Sequence, residues 1–173
     1  MTYEFVLRFK LSNNSNDFDA LVEQLGEAGC DDATVGGGIA GRIALDFARD
    51  ARSAQEAILS AIEDVKRAIP GAELIEASPD YVGLTDVAEI VGVSRQNLQK
   101  LMVKHSDFPA PLHSGSTQVW HLLEVLNWIV QRRLYTVENR LLEVATFAMQ
   151  CNLAKESSKV AKPDNRRLLE ALA

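Results

Sequence analysis

The sequence predicts an α+β chain of two folded units followed by a helical arm, and three observations carry that expectation. Through the first 78 residues, segments with an apolar period of two alternate with amphipathic helical stretches. Beyond a Ser78-Pro79-Asp80 break, two short helical patterns meet at Gly92. The charge is also unevenly placed. Residues 1–80 carry 7 Lys/Arg against 15 Asp/Glu, residues 81–135 carry 5 against 4, and residues 136–173 carry 6 against 5. A net charge of −6 argues against nucleic-acid binding only if it is uniform, and here the acidity belongs to the first unit.

The first unit is expected over residues 1–78. Tyr3, Phe5, Leu7, Phe9 and Leu11 share one face of a strand, opposite Glu4, Arg8 and Lys10. The polar run 12–17 leads to a helix with Phe18, Leu21, Val22 and Leu25 on one side, closed near Gly29. Thr34-Val35, a glycine-rich bend and the alternation of Ile43, Leu45 and Phe47 predict a hairpin. Ser53 and Glu56 have capping-box spacing. They open a helix that buries Ala57, Ile58, Ala61, Ile62, Val65 and Ile69 and stops at Pro70-Gly71. A last strand spans 72–77. This βαββαβ order is the ferredoxin-like pattern, an antiparallel four-stranded sheet with two helices on one face. In topology alone it resembles ACT-type regulatory domains, which implies pairing with a protein partner or sensing of an effector.

Gly36, Gly38 and Gly41 satisfy G-x-G-x-x-G, but phosphate binding there needs a helix to start at the loop. Residues 42–47 have a strand period, so the hairpin reading is preferred.

The second unit is expected over residues 79–133. Thr85 is expected to cap a helix carrying Val87, Ala88, Ile90 and Val91. Gly92 supplies the turn, Val93 plugs it, and Ser94 caps the helix running to Lys104. Two helices joined so tightly must cross steeply, which requires the small Ala88 and apolar wedges at Val87, Val91, Val93, Leu98 and Leu101. This array resembles the helix-turn-helix family. The resemblance implies that helix 94–104 enters a major groove, with Ser94, Arg95, Gln96, Asn97, Gln99, Lys100 and Lys104 as contacts. Arg can pair bidentately with guanine and Asn or Gln with adenine. An ordinary solvated helix face has the same composition.

Residues 108–112 read as extended, 113–118 as a turn and 119–120 as a returning strand. A helix with Leu122, Val125, Leu126 and Ile129 on one side follows. The stretch 108–129, with Trp128 on that helix, resembles the wing and following helix of MerR-like and AlpA (excisionase)-like winged-helix domains. The resemblance covers about residues 82–133. It implies that His113, Ser116, Thr117 and Gln118, with Thr85, flank the recognition helix. The wing tip departs from the family in lacking arginine, so its contacts are expected to be hydrogen bonds of low charge. Trp120 and Trp128 are expected to close the small core.

Residues 134–173 are expected to form a C-terminal arm. Leu134, Val137, Leu141, Val144, Ala148 and Cys151 recur near heptad spacing, which predicts either dimerisation or packing on the same chain. Lys155, Lys159, Lys162, Arg166 and Arg167 could attract phosphate without sequence preference.

The function expected is a sequence-specific double-stranded DNA-binding protein, a transcriptional regulator acting as a homodimer. The alternative is an adaptor or antitoxin-like protein whose acidic N-terminal unit docks on a partner protein. No enzyme activity, cofactor or metal is expected. His105, His113 and His121 lack metal-ligand spacing, and Asp31-Asp32 has no basic neighbour in sequence. The N-terminus lacks signal-peptide character, no run of about 18 apolar residues crosses a membrane, and two isolated cysteines fit a reducing cytoplasm.

Overall fold

The computed structural model describes residues 1–12, 17–160 and 166–172, the side chains of 166 and 167 excepted. Most of the polar run 12–17 and Lys162 lie outside the described residues, as do the side chains of Arg166 and Arg167. The chain is a mixed α+β structure whose sheets are antiparallel.

Strand β1 (Thr2–Lys10) buries Tyr3, Phe5, Leu7 and Phe9. Helix α1 (Phe18–Leu25) is capped by Asp17, whose carboxylate accepts the Ala20 amide at 3.0 Å. It runs into a wider turn over Gly26–Cys30. Strands β2 (Ala33–Gly36) and β3 (Arg42–Asp50) flank the glycine bend. At Gly37 a Cβ would stand 2.7 Å from the Phe18 ring, so a side chain there would have to displace that partly exposed ring. Helix α2 (Ala54–Ala68) buries Ala54, Ala57, Ile58, Ala61 and Val65, and β4 (Glu73–Ser78) completes a sheet of order β2-β3-β1-β4.

The α2 cap differs from a reciprocal box. Ser53 Oγ accepts the Glu56 amide at 3.1 Å, but the Glu56 carboxylate reaches past it to the Arg52 amide (3.0 Å) and guanidinium (2.7 Å). Asp32 also has a basic partner, 17 residues along the chain. Arg49, buried on the helix side of β3, takes Asp32 at 2.7 Å and Asp64 at 2.8 Å. Beside this cluster, burial pushes the Cys30 thiol up to about 11.

The second unit begins with β5 (Tyr81–Val82), a short strand with no sequence counterpart, then α3 (Leu84–Val91) and α4 (Arg95–Lys104). Strands β6 (His113–Ser114) and β7 (Gln118–His121) make a hairpin, and β5 pairs with β7 to give the order β5-β7-β6. Helix α5 (Leu122–Gln131) buries Leu122, Val125, Leu126, Trp128 and Ile129. His113, expected in a turn, is therefore a strand residue opposite Val119.

Helix α6 (Asn139–Ser158) covers its seam with its own chain. Val144 and Ala148 are buried in the sheet core, while Ala145 belongs to the core around α5 with Leu134, Val137 and Leu141 packed beside it. Alanine at 145 and 148 lets the helix approach both cores closely, so the seam expected to pair between copies is occupied within one. Its polar residues close the edge of β4. Asn152 donates to the Ala77 carbonyl at 2.8 Å and accepts the Ala77 amide at 2.9 Å, and Lys155 donates to the Ile75 carbonyl. A short helix α7 (Arg166–Leu172) follows.

The Ser78-Pro79-Asp80 break is a pinned joint rather than a free linker. Asp80 is fully buried. His121 Nδ1 lies 2.7 Å from its Oδ1, Asn152 Nδ2 donates to its Oδ2 at 2.8 Å, and its carbonyl accepts the Leu122 amide at 2.7 Å. Among the described residues no buried side-chain nitrogen or oxygen lacks a partner. Asn152→Leu should therefore destabilise the chain by about 3 kcal/mol, because it leaves Asp80 and the Ala77 amide unsatisfied. Urea unfolding measures this, with the exposed Asn127→Ala as a control that leaves the midpoint unchanged.

Candidate nucleic-acid interface

Helix α3 starts two residues earlier than a helix capped by Thr85 would. Gly83 is the N-cap, and Asp86 reaches back to its amide at 2.7 Å. Thr85 instead stands exposed in the first turn of the helix. The helix ends at Gly92, which is left-handed (φ 75°), and Val93 donates back to the Ala88 carbonyl at 2.9 Å. Ser94 caps α4 as expected, its hydroxyl accepting the Asn97 amide at 3.2 Å. Val87, Ala88 and Leu98 are buried where the helices cross, with Val91, Val93 and Leu101 packed beside them.

This crossing turns Arg95, Gln96, Asn97, Lys100 and Lys104 outward, all exposed, with Gln99 half-buried. The α4 helix carries Arg95, Lys100 and Lys104 and no acidic residue, and none of the three makes an ion pair with any described residue. Its ten residues span roughly 15 Å.

The hairpin is braced from below. Trp120 donates to the Pro109 carbonyl at 2.9 Å and Trp128 to Asp107 at 3.1 Å. The Phe108 ring meets the edges of both indoles, with centroids 6.1 Å and 5.0 Å away. Arg132 lies over Trp128 and donates to Asp107 at 2.9 Å, which holds the Asp107 carboxyl below its usual range.

A cleft of about 460 Å³ opens between the start of α3, the start of α4 and the hairpin tip. Thr85, Arg95, Gln99, Ser116, Thr117 and Gln118 line it, over a floor that includes Trp120. Gln96, Asn97, Lys100 and Lys104 stand on the outer surface of α4, Ser94 is engaged as its cap, and His113 is exposed with its ring against Gly115. Asp86 also lines the cleft. Sequence reading missed it, although Gly83-x-x-Asp86 has N-cap spacing. Two cations proposed for phosphate are engaged elsewhere: Lys155 with Ile75 and Glu156, and Lys159 with Glu156. His121 faces Asp80, and no group of metal-ligand side chains occurs among the described residues. Among those residues no helix is long and apolar enough to cross a membrane.

The chain matches no protein-family model, no curated protein and no solved structure.

A Cβ at Gly92 would meet nothing within 4 Å, so the cost of Gly92→Ala is purely conformational. It should be about 1–2 kcal/mol, and less for Gly92→Asn, by thermal or chemical unfolding. The lowered Asp107 pKa means that its contribution is complete above the ordinary carboxylate range and is lost as pH falls through the depressed value. Asp107→Asn should flatten that acid-side loss, read by tryptophan fluorescence during unfolding at a series of pH values.

Proposed function

We propose that this chain is a sequence-specific double-stranded DNA-binding protein, a transcriptional regulator that reads the major groove with helix 94–104. The observation that carries this reading is the single cleft. Thr85, Arg95, Gln99, Ser116, Thr117 and Gln118, which the winged-helix resemblance implies as DNA contacts, line one concavity.

Three features support it further. The outer surface of α4 combines unpaired cations with Gln96 and Asn97, the side chains suited to base edges and phosphates. The helix–glycine–helix, hairpin and helix follow one another in the order of a winged helix-turn-helix domain. The sheet unit has the strand order of a ferredoxin-like fold, which suits an association module beside the reader. One reader of this size makes few phosphate contacts, so a homodimer on two half-sites accounts best for tight binding.

Selection of bound duplexes from a random pool, followed by quantitative binding, tests the reading. Arg95→Ala and Asn97→Ala should each cost about 1–3 kcal/mol and relax preference at one base position. Lys100→Ala should weaken all duplexes alike and make the salt slope shallower by about one. Lys155→Ala should leave affinity unchanged, because its ammonium is already bound within the chain. Failure to enrich any sequence, or enrichment unaffected by both Arg95→Ala and Asn97→Ala, would refute the assignment.

A further inference from the structure

The two edges of the four-stranded sheet are finished differently. At β4 the outer edge is closed by α6 through Asn152 and Lys155. The β2 edge has no such cover among the described residues, and the register fixes which of its backbone groups point outward. The Ala48 amide donates to the Asp32 carbonyl at 3.1 Å, and Thr34 stands opposite Asp46. The even-numbered residues therefore bond to β3, while the amides and carbonyls of Ala33 and Val35 face away from it. No described residue bonds to those outward groups. The strand reads Ala-Thr-Val-Gly, without charge, proline or bulge. Brevity is its one guard against pairing with another strand.

Helix α1 begins beside this edge, where the Phe18 ring lies against Gly37 just past the end of β2. Only half of its apolar stripe is covered. Leu21 and Leu25 are buried, whereas Phe18 and Val22, one turn apart, are 41% and 38% exposed. Ala33 and Val35 pack against the same core as Leu21 and Leu25, so the stripe and the outward backbone border one side of the sheet. Thr34 and Gly36 are exposed on its other side. The edge thus combines unpaired backbone with uncovered apolar side chains.

We propose that β2 of a second copy of this chain pairs antiparallel with this edge. A twofold axis at Thr34, normal to the sheet, sets Ala33 of each copy opposite Val35 of the other, and every outward amide meets a carbonyl. This register keeps the pairing within β2. Thr34 then faces its own counterpart, an uncharged pair with nothing to repel. Asp31, exposed just before the strand, falls opposite Gly37 and stays far from its own counterpart. The same axis lays the two α1 helices side by side in opposite directions, each covering Phe18 and Val22 of the other. One patch therefore serves both partners, as a closed dimer requires, and this self-compatibility favours a copy over an unrelated strand. Asp19, Glu23 and Glu27 make α1 acidic in both copies, so backbone bonds and apolar contacts act against a repulsion that salt screens. The contact is small, and the dimer is of the weaker class.

The proposal goes beyond the DNA-binding reading, and its test uses no DNA, so either can fail alone. Sedimentation of the full chain is followed from micromolar to near-millimolar concentration at low and high salt. The wild type should dimerise, more strongly as salt rises. Val35→Pro removes an outward donor and obstructs the second strand, yet gives up no bond to β3. It should associate at least about tenfold more weakly while keeping its circular dichroism. Val22→Asp, at an exposed position, should weaken association in the same direction. Thr34→Cys reads the register directly, because facing residues of a non-hydrogen-bonded pair have Cα atoms about 4.5 Å apart, within disulfide reach. Mild oxidation should link the Thr34→Cys chains into covalent dimers and leave the exposed Glu63→Cys chains unlinked. A dimer indifferent to Val35→Pro or to Val22→Asp, or Thr34→Cys chains that stay unlinked, would overturn the proposal. So would a wild type that is monomeric throughout the range, which leaves the edge to a strand of another protein.

Discussion

A carboxyl group with no solvent exposure is costly unless both oxygens find donors, and Asp80 satisfies that constraint at the point where the two units join. Its partners come from opposite sides. His121 belongs to the last hairpin strand of the second unit, and Asn152 to the fourth turn of α6, where it also pairs with the backbone of β4. The carbonyl of the same residue receives the first amide of α5. Sheet, second unit and C-terminal helix are therefore bound to one buried group, and the second unit sits on a fixed mount. The arrangement at the cleft depends on it, because β5, which follows Asp80 directly, pairs with the strand that carries Trp120 and Gln118.

The second unit divides its side chains between support and surface. Leu98, Val87 and Ala88 fix the crossing of the two helices, and the Phe108, Trp120 and Trp128 rings fix the hairpin. Their rigidity lets short polar side chains at the tip act at defined distances from Arg95 and Gln99. Positive charge is placed on α4 rather than on the hairpin, whose tip carries small hydroxyl and amide side chains.

Much of this was legible because local periodicity reflects which side of an element is buried. The alternation of Tyr3, Phe5, Leu7 and Phe9 marks the face that is buried, and Gly92 with Ser94 marks the turn and cap that are formed. What was not legible depends on contacts far apart in the chain. Asp80 and Asn152 are separated by 72 residues, and a Ser-Pro-Asp run reads locally as a break. A signal was present all the same. Val144, Ala145, Ala148 and Asn152 follow one another at helical spacing, and an amide on an apolar stripe needs a buried partner. The candidate surface was found residue by residue, but its shape was not, since the approach of Thr85 to the hairpin tip depends on how β5 pairs with β7.

The position of α6 after both units in the sequence also governs how the molecule comes into being. Synthesis delivers the sheet, the joint and the second unit before residue 152 leaves the ribosome. Until then the Ala77 amide and the Ala77 and Ile75 carbonyls on the outer edge of β4 lack these partners, and Asp80 lacks one of its donors. A partly made chain is thus a sheet with an open edge, the form most prone to join another sheet. Addition of α6 closes that edge and both cores in one step, so the two units reach their protected form only once this helix is in place.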